Sequence, residues 1–250
     1  MAREVRVYQN AGQVNRALAE RFASISSKAI AARGRFVVCL AGGNTPRGAY
    51  ELLTTPEYTA LVDWQSAYVF WGDERCVPPE SMDSNARMVR EALLNHVPVP
   101  VNQVHRIRGE IDPIQAAEEY DKTLRDFFRN RMQSGKPRFD LVLLGMGVDG
   151  HTASLFPGAD ALREDKKWAV AHQVKTLNTW RVTLTPAALN AASNVIFLVM
   201  GADKADTVKR VLEGEPNPEE LPAQIIKPEN GNVLWLLDEH AASKLATVKY

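Results

Sequence analysis

Short apolar runs alternate along the chain with longer segments in which apolar residues recur every three or four positions. The runs are Val5 to Tyr8, Phe36 to Leu40, Ala67 to Trp71, Phe139 to Leu144, Val195 to Met200 and Val233 to Leu237. Apolar strands that alternate with helices are typical of a parallel sheet covered on both faces. We therefore predict an α/β fold in which a mostly parallel sheet lies between two layers of helices.

Two of the longer segments show how these helices begin and end. In the first, apolar residues from Val14 to Ile30 fall on one side of a helix that we expect to stop near Gly34. The second is predicted from about Pro113 to Arg131, because Asp112 can cap its first turn. Both helices present an apolar face that can pack on the sheet.

Length and composition favour one domain spanning residues 1–250. A chain of 250 residues that is 45% hydrophobic can bury one sizeable core. The stretch Glu215 to Pro222 contains three prolines, but the strand-like Val233 to Leu237 follows soon after it. We interpret this stretch as a surface loop rather than a linker between domains.

The charge balance narrows the choice of partners. The 30 Lys and Arg residues equal the 30 Asp and Glu residues, so no overall field attracts nucleic acid. Met1 to Tyr8 lacks the apolar core of a signal peptide, and no segment approaches the roughly 20 apolar residues of a membrane span. We expect a cytoplasmic protein with no nucleic-acid or membrane partner, so an anion would need a local site. The sequence leaves the oligomeric state open, and we favour a monomer.

Polar residues follow the second apolar run in the order Gly42, Gly43, Asn44, Thr45, Pro46. Ligands of open parallel sheets bind beyond the carboxyl ends of the strands, so this is a candidate site. Glycines allow a tight turn, Thr45 suits a helix N-cap, and Pro46 suits the first helical position. The loop is either a phosphate site made of free N–H groups or an ordinary strand-to-helix turn.

Asp73, Glu74 and Arg75 follow the third apolar run. These charged residues either form a structural ion pair or take part in the function of the protein. In the functional interpretation, Arg75 donates to a phosphate or carboxylate and Asp73 contacts substrate hydroxyls or orients a catalytic group.

The segment from Gly145 to Thr152 follows the fourth run and contains the richest chemistry. Gly145, Gly147 and Gly150 match a dinucleotide-binding fingerprint, but Pro157 interrupts the helix that such a fingerprint must open. A histidine bracketed by glycines in a loop has little core to pack in. We therefore favour a catalytic His151 over a structural one.

Two further cations are candidates for anion binding. Lys204 lies in the first turn of a predicted helix, where its positive charge opposes the helix dipole. Either a bound anion or solvent must offset this unfavourable interaction. Arg181 opens a strand-like run and is a weaker candidate of the same kind. The histidines lack metal-ligand spacing, and two cysteines are too few for a four-ligand zinc site. We expect no metal and no cofactor.

Taken together, these segments resemble the 6-phosphogluconolactonases. The matching motifs, which run in the family's order between Phe36 and Lys204, are Gly42-Gly43-Asn44-Thr45-Pro46, Trp71-Gly72-Asp73-Glu74-Arg75, Ser84-Asn85 and Gly145 to Pro157. The resemblance implies a Rossmann-like fold and a phosphorylated sugar lactone as the small-molecule substrate. The chain departs from the family pattern just before Arg181, where it has Leu177 to Trp180 in place of the prolines found in many lactonases.

The resemblance implies hydrolysis of 6-phosphoglucono-δ-lactone to 6-phosphogluconate, a step of the oxidative pentose phosphate pathway. His151 is then the base that activates water, with Asp73 and Asp149 either orienting it or binding sugar hydroxyls. The amides of Gly42, Gly43, Asn44 and Thr45 would hold the phosphate together with Arg75, Lys204 and Arg181. Backbone N–H groups between Gly145 and Gly150 are plausible donors to the oxyanion.

Two other functions remain open. Glucosamine-6-phosphate deaminases share the glycine loop and the Asp-Gly-His segment, but continue toward Asn-Glu-Pro where this chain has Ser154 to Pro157. A non-catalytic sugar-phosphate sensor would need a DNA-binding region, for which Met1 to Phe36 is too short.

Overall fold

A sheet of parallel strands forms the centre of the molecule. The computed structural model describes residues 3–129, 137–174 and 177–246. Its strands are β1 (Arg3–Tyr8), β2 (Phe36–Leu40), β3 (Ala67–Trp71), β4 (Asp73–Arg75), β5 (Val104–His105), β6 (Leu141–Leu144), β7 (Ala169–Val174), β8 (Thr179–Leu184), β9 (Asn194–Val199) and β10 (Asn232–Asp238). Each predicted apolar run overlaps one of these strands.

The main sheet has the strand order β1-β10-β9-β6-β2-β3-β5, and every neighbouring pair is parallel. Every residue of β2 and β6 is buried, which requires cover on both faces of the sheet. The predicted α/β class with a mostly parallel sheet is confirmed.

Helices connect these strands. The α-helices of the described residues are α1 (Ala11–Arg33), α2 (Arg47–Leu53), α3 (Pro56–Thr59), α4 (Asn85–Val89), α5 (Pro113–Phe128), α6 (Pro186–Leu189), α7 (Ala205–Glu213) and α8 (Glu239–Ala242). Helix α1 ends at Gly34, whose φ of 68° is the left-handed conformation that glycine favours. Asp112 caps α5 as predicted, while Arg131, the predicted end of that helix, lies outside the described residues.

A small antiparallel sheet of order β4-β8-β7 lies beside the main one and was not predicted. The chain enters it directly from β3 through Gly72, whose carbonyl accepts a hydrogen bond from the Leu184 N–H at 2.8 Å. Asp73 and Arg75 therefore lie on a strand rather than in a loop. No helix among the described residues is long and apolar enough to cross a membrane.

Two buried tyrosines satisfy the backbone where β2 and β3 end. The Tyr50 hydroxyl donates to the Ala41 carbonyl at 2.8 Å and accepts from the Ala41 N–H at 3.1 Å. The Tyr120 hydroxyl bonds the carbonyl and N–H of Trp71 in the same way, at 2.8 and 2.9 Å. Buried backbone groups without partners are costly, so each tyrosine stabilises the point at which a strand gives way to other structure.

Replacing Tyr120 with Phe should lower the free energy of unfolding by about 2 kcal/mol, because the Trp71 N–H and carbonyl lose their shared partner. Urea unfolding measures the loss. Tyr68→Phe is the matched control, since the Tyr68 hydroxyl has no hydrogen-bond partner within the described residues; it should change stability by less than about 0.5 kcal/mol. Equal losses in both variants would contradict this role of Tyr120.

Candidate active site

Four neighbouring strands of the main sheet, β9, β6, β2 and β3, end at the same edge and surround one cavity. From β2 the chain continues outward to β3, whereas β6 lies on the other side of β2 and leads on to β9. Strand order thus reverses between β2 and β6, which is where open α/β sheets bind ligands.

The cavity has a volume of about 230 Å³, and we call it the strand-end cavity. Seven of the predicted site residues line it: Gly42, Gly43, Thr45, Asp73, Arg75, His151 and Lys204. The other three predicted residues, Asn44, Asp149 and Arg181, do not line this cavity. Residues far apart in the sequence thus meet at one place.

The glycine loop presents free backbone donors. Gly43 has a φ of 77°, and no acceptor within the described residues takes the N–H groups of residues 42 to 45. Helix α2 begins at Arg47 with Pro46 at its N-cap, so the predicted capping by Thr45 is wrong. The helix begins one residue later than predicted, after a turn in which the Arg47 N–H donates to the Asn44 carbonyl at 3.2 Å.

His151 is held by Asp149. Its ring Nδ1 lies 2.6 Å from Asp149 Oδ1, and the ring stacks on Phe156 with a centroid distance of 4.2 Å. A carboxylate only accepts hydrogen bonds, so Nδ1 carries a proton in this contact, and whenever the ring is neutral its Nε2 has a lone pair that can accept a proton. Burial raises the pKa of Asp149, but the hydrogen bond and charge of His151 outweigh burial, so the net pKa lies below its ordinary value.

Glycines make this loop possible. A Cβ on Gly147 would lie 2.1 Å from His151 Nδ1, so any side chain there would displace the imidazole. Gly150 has a φ of 80°, which only glycine adopts readily. The Gly147 N–H donates to the His151 carbonyl and the Gly150 N–H to the Gly147 carbonyl, so neither amide is available to an oxyanion.

Asp73 has partners other than His151. One carboxylate oxygen accepts from the Ser154 hydroxyl at 2.6 Å, and the other from the Asn85 side-chain amide at 3.3 Å. Asp73 is 9% exposed and lines the cavity. Of the two aspartates considered for orienting His151, only Asp149 contacts it.

Glu74 forms no ion pair with Arg75 in the part of the chain that the structure describes. It is 3% exposed and accepts from the N–H groups of Arg75, Asn85 and Ala86 and from the Ser84 hydroxyl. Burial raises its pKa from 4.5 to about 6, although these backbone hydrogen bonds oppose the shift. Glu74 thus fixes the start of α4, a role that the sequence did not indicate.

Arg75 and Arg181 lie directly opposite each other on β4 and β8. Both line a second cavity of about 680 Å³ next to the first, and Arg75 borders both cavities. Neither guanidinium contacts a carboxylate within the described residues. Burial lowers the pKa of Arg181, and the positive charge of Arg75 lowers it further. Two facing cations of this kind favour a bound anion.

Lys204 precedes α7 and lies at its N-cap. Its Nζ is 3.4 Å from a carboxylate oxygen of Asp203, whose side chain is 64% exposed, so this ion pair is weak. Lys204 therefore adds a cation to the strand-end cavity. No group of three or more His, Cys, Asp or Glu side chains among the described residues could hold a metal ion.

Comparison with known proteins identifies relatives of this chain. Residues 9–235 match the model of the family described as glucosamine-6-phosphate isomerases/6-phosphogluconolactonase. A 6-phosphogluconolactonase of Synechocystis is 40% identical, with 88% of each chain covered. A probable 6-phosphogluconolactonase of Arabidopsis thaliana is 36% identical over 99% of this chain and 95% of its own. A solved 6-phosphogluconolactonase of Trypanosoma brucei is 30% identical with a TM-score of 0.84, covering 98% of this chain and 99% of its own.

Replacing Glu74 with Gln should lower the free energy of unfolding, because one acceptor oxygen becomes an amide that faces backbone donors. The effect should depend on pH. A carboxyl whose folded-state pKa is raised from 4.5 to about 6 loses about 2 kcal/mol of stabilisation as pH rises through that interval. The difference in stability between wild type and variant should therefore be about 2 kcal/mol larger at about pH 3.5 than at about pH 7.5. A difference independent of pH would show that Glu74 titrates normally.

Proposed function

The chain belongs to the glucosamine-6-phosphate isomerase/6-phosphogluconolactonase family, and we propose that it hydrolyses 6-phosphoglucono-δ-lactone to 6-phosphogluconate with His151 as the general base. The observation that carries this proposal is the His151–Asp149 pair at a cavity also lined by free amides and two cations. A base is thereby combined with a site suited to a phosphate.

The reaction requires one proton transfer to a base and one to a leaving group. His151 Nε2 takes a proton from water as the water oxygen bonds to C1 of the lactone. Asp149 keeps Nδ1 protonated and stabilises the imidazolium that forms. The bond between C1 and the ring oxygen then breaks, and the imidazolium returns a proton to that oxygen. The new carboxyl group ionises, so each turnover releases acid.

Binding of the phosphate orients the ring for this attack. The N–H groups of Gly42, Gly43, Asn44 and Thr45 are suitable donors, and Arg75 and Lys204 supply positive charge at the same cavity. Arg181 faces Arg75 and would add a second guanidinium at the side where the two cavities meet. Binding energy from this remote group is used to position C1.

Two observations favour hydrolysis over the deaminase reaction. Among the described residues the only carboxylate in contact with His151 is that of Asp149. The segment after His151 places the apolar ring of Phe156 against the imidazole and turns the Ser154 hydroxyl toward Asp73. An acidic partner that could shuttle protons along an open sugar chain is therefore missing at this position.

Replacing His151 with Asn should lower kcat about 10²- to 10⁴-fold with a much smaller change in KM, because the base acts only in the transition state. Acid release from freshly generated 6-phosphoglucono-δ-lactone measures the rate, after subtraction of hydrolysis without protein. His240→Asn, which changes an exposed histidine on α8, is the matched control and should keep wild-type kcat. An active His151→Asn variant would exclude His151 as the base.

Replacing Arg75 with Ala should reduce kcat/KM for the phosphorylated lactone about 10²-fold, since a charge-assisted hydrogen bond to phosphate is lost. For unphosphorylated glucono-δ-lactone the reduction should be under about threefold. Arg90→Ala, at an exposed arginine outside both cavities, controls for general effects of charge. Equal reductions for the two lactones would mean that Arg75 does not bind the phosphate.

A further inference from the structure

Ser154, three residues after His151, connects the loop of the proposed base to the small sheet. It is 1% exposed, and the lactonase mechanism above does not use it. Its hydroxyl donates to Asp73 Oδ2 on β4 at 2.6 Å, and its N–H donates to the Thr183 hydroxyl on β8 at 3.2 Å. Its carbonyl accepts from His172 Nε2 on β7 at 2.6 Å. Ser154 thus makes one hydrogen bond to each strand of this sheet.

The strand register places these three partners on one face of the small sheet. Asp73 and Thr183 are directly opposite each other on β4 and β8, and His172 is directly opposite Arg181, which lies two residues before Thr183. Residues opposite each other, and residues two apart on one strand, point to the same face of a sheet. Ser154 therefore packs against this face, and it joins the loop of His151 to the strand that carries Asp73.

The hydroxyl of Ser154 adds a contact of a different kind, since the N–H and carbonyl already bond the segment to the sheet. Its acceptor is a carboxylate, and charge-assisted bonds of this kind are among the stronger hydrogen bonds. Asp73 forms no ion pair within residues 3–129, 137–174 and 177–246, and the Asn85 amide reaches its other oxygen at a longer 3.3 Å. The Ser154 hydroxyl is therefore the closest donor to a carboxylate that lines the strand-end cavity.

We propose that Ser154 is a positioning residue whose hydroxyl holds the Asp73 carboxylate where it accepts a hydrogen bond from a ring hydroxyl of the substrate. This inference rests on the proposed lactonase function. The hydroxyls at C2, C3 and C4 keep their bonds when the lactone ring opens, so their contact with Asp73 is equally strong before and during the reaction. Loss of such a contact raises KM and leaves kcat nearly unchanged.

Replacing Ser154 with Ala should raise KM for 6-phosphoglucono-δ-lactone about 10-fold and keep kcat within about twofold of wild type, because the Asp73 carboxylate loses its closest donor. Ser154→Cys, which nearly keeps the volume but is a weak donor, should have the same effect and serves if the alanine variant does not fold. Once Asp73→Ala has removed the carboxylate, adding Ser154→Ala should change KM by less than about twofold. If Asp73→Ala turns over too slowly, the Kd of 6-phosphogluconate, which retains these hydroxyls, gives the same comparison by titration calorimetry.

Ser26→Ala is the matched control. Ser26 on α1 is also fully buried, but its hydroxyl has no hydrogen-bond partner in the part of the chain that the structure describes, so kcat and KM should stay at wild-type values. An unchanged KM in the Ser154 variants would overturn the proposal. A fall in kcat at constant KM would also overturn it by placing the effect on His151, as would additive effects of the Ser154 and Asp73 changes. If wild type does not accelerate hydrolysis of the lactone, the proposed function itself fails, which is a separate result.

Discussion

Buried backbone N–H and carbonyl groups need hydrogen-bond partners where the parallel strands end. The rest of this structure depends on how these groups are bonded. Loops must leave the sheet at β2 and β3, and there the ladder of hydrogen bonds ends inside the core. Tyr50 and Tyr120 each bond one N–H and one carbonyl at these points. Glu74 accepts from two N–H groups at the start of α4 and from the N–H of Arg75 on β4. With these groups bonded, the neighbouring loops can leave their own donors and acceptors free for a ligand.

The strand-end cavity is lined by two kinds of polar group. Donors and cations come from the glycine loop, Arg75 and Lys204, while the Asp73 carboxylate supplies acceptor oxygens. A sugar phosphate also has two chemical ends, since the phosphate accepts hydrogen bonds and the hydroxyls can donate them. The glycines at 147 and 150 let His151 and Asp149 approach this cavity on a tight loop. The proposed reaction follows from combining these groups with one free imidazole nitrogen.

Much of this arrangement could be predicted from the sequence. Apolar runs locate the strands of the main sheet, and their parallel order brings the polar residues after each run to one edge. Other features depend on contacts between distant residues. The small sheet pairs Arg75 with Arg181, and the Tyr120 hydroxyl meets Trp71 only in the folded chain. Thr45 matches the residue preference for a helix N-cap, but α2 begins at Arg47, one residue later than predicted, and Pro46 occupies the N-cap.

The central claim is that this site hydrolyses a phosphorylated lactone rather than isomerising an amino sugar. A single incubation with freshly prepared 6-phosphoglucono-δ-lactone and glucosamine 6-phosphate, followed by phosphorus NMR, tests it most directly. We predict that the lactone signal is converted to that of 6-phosphogluconate faster than in a sample without protein, while glucosamine 6-phosphate persists. Loss of glucosamine 6-phosphate, with the lactone decaying at the protein-free rate, would contradict the account.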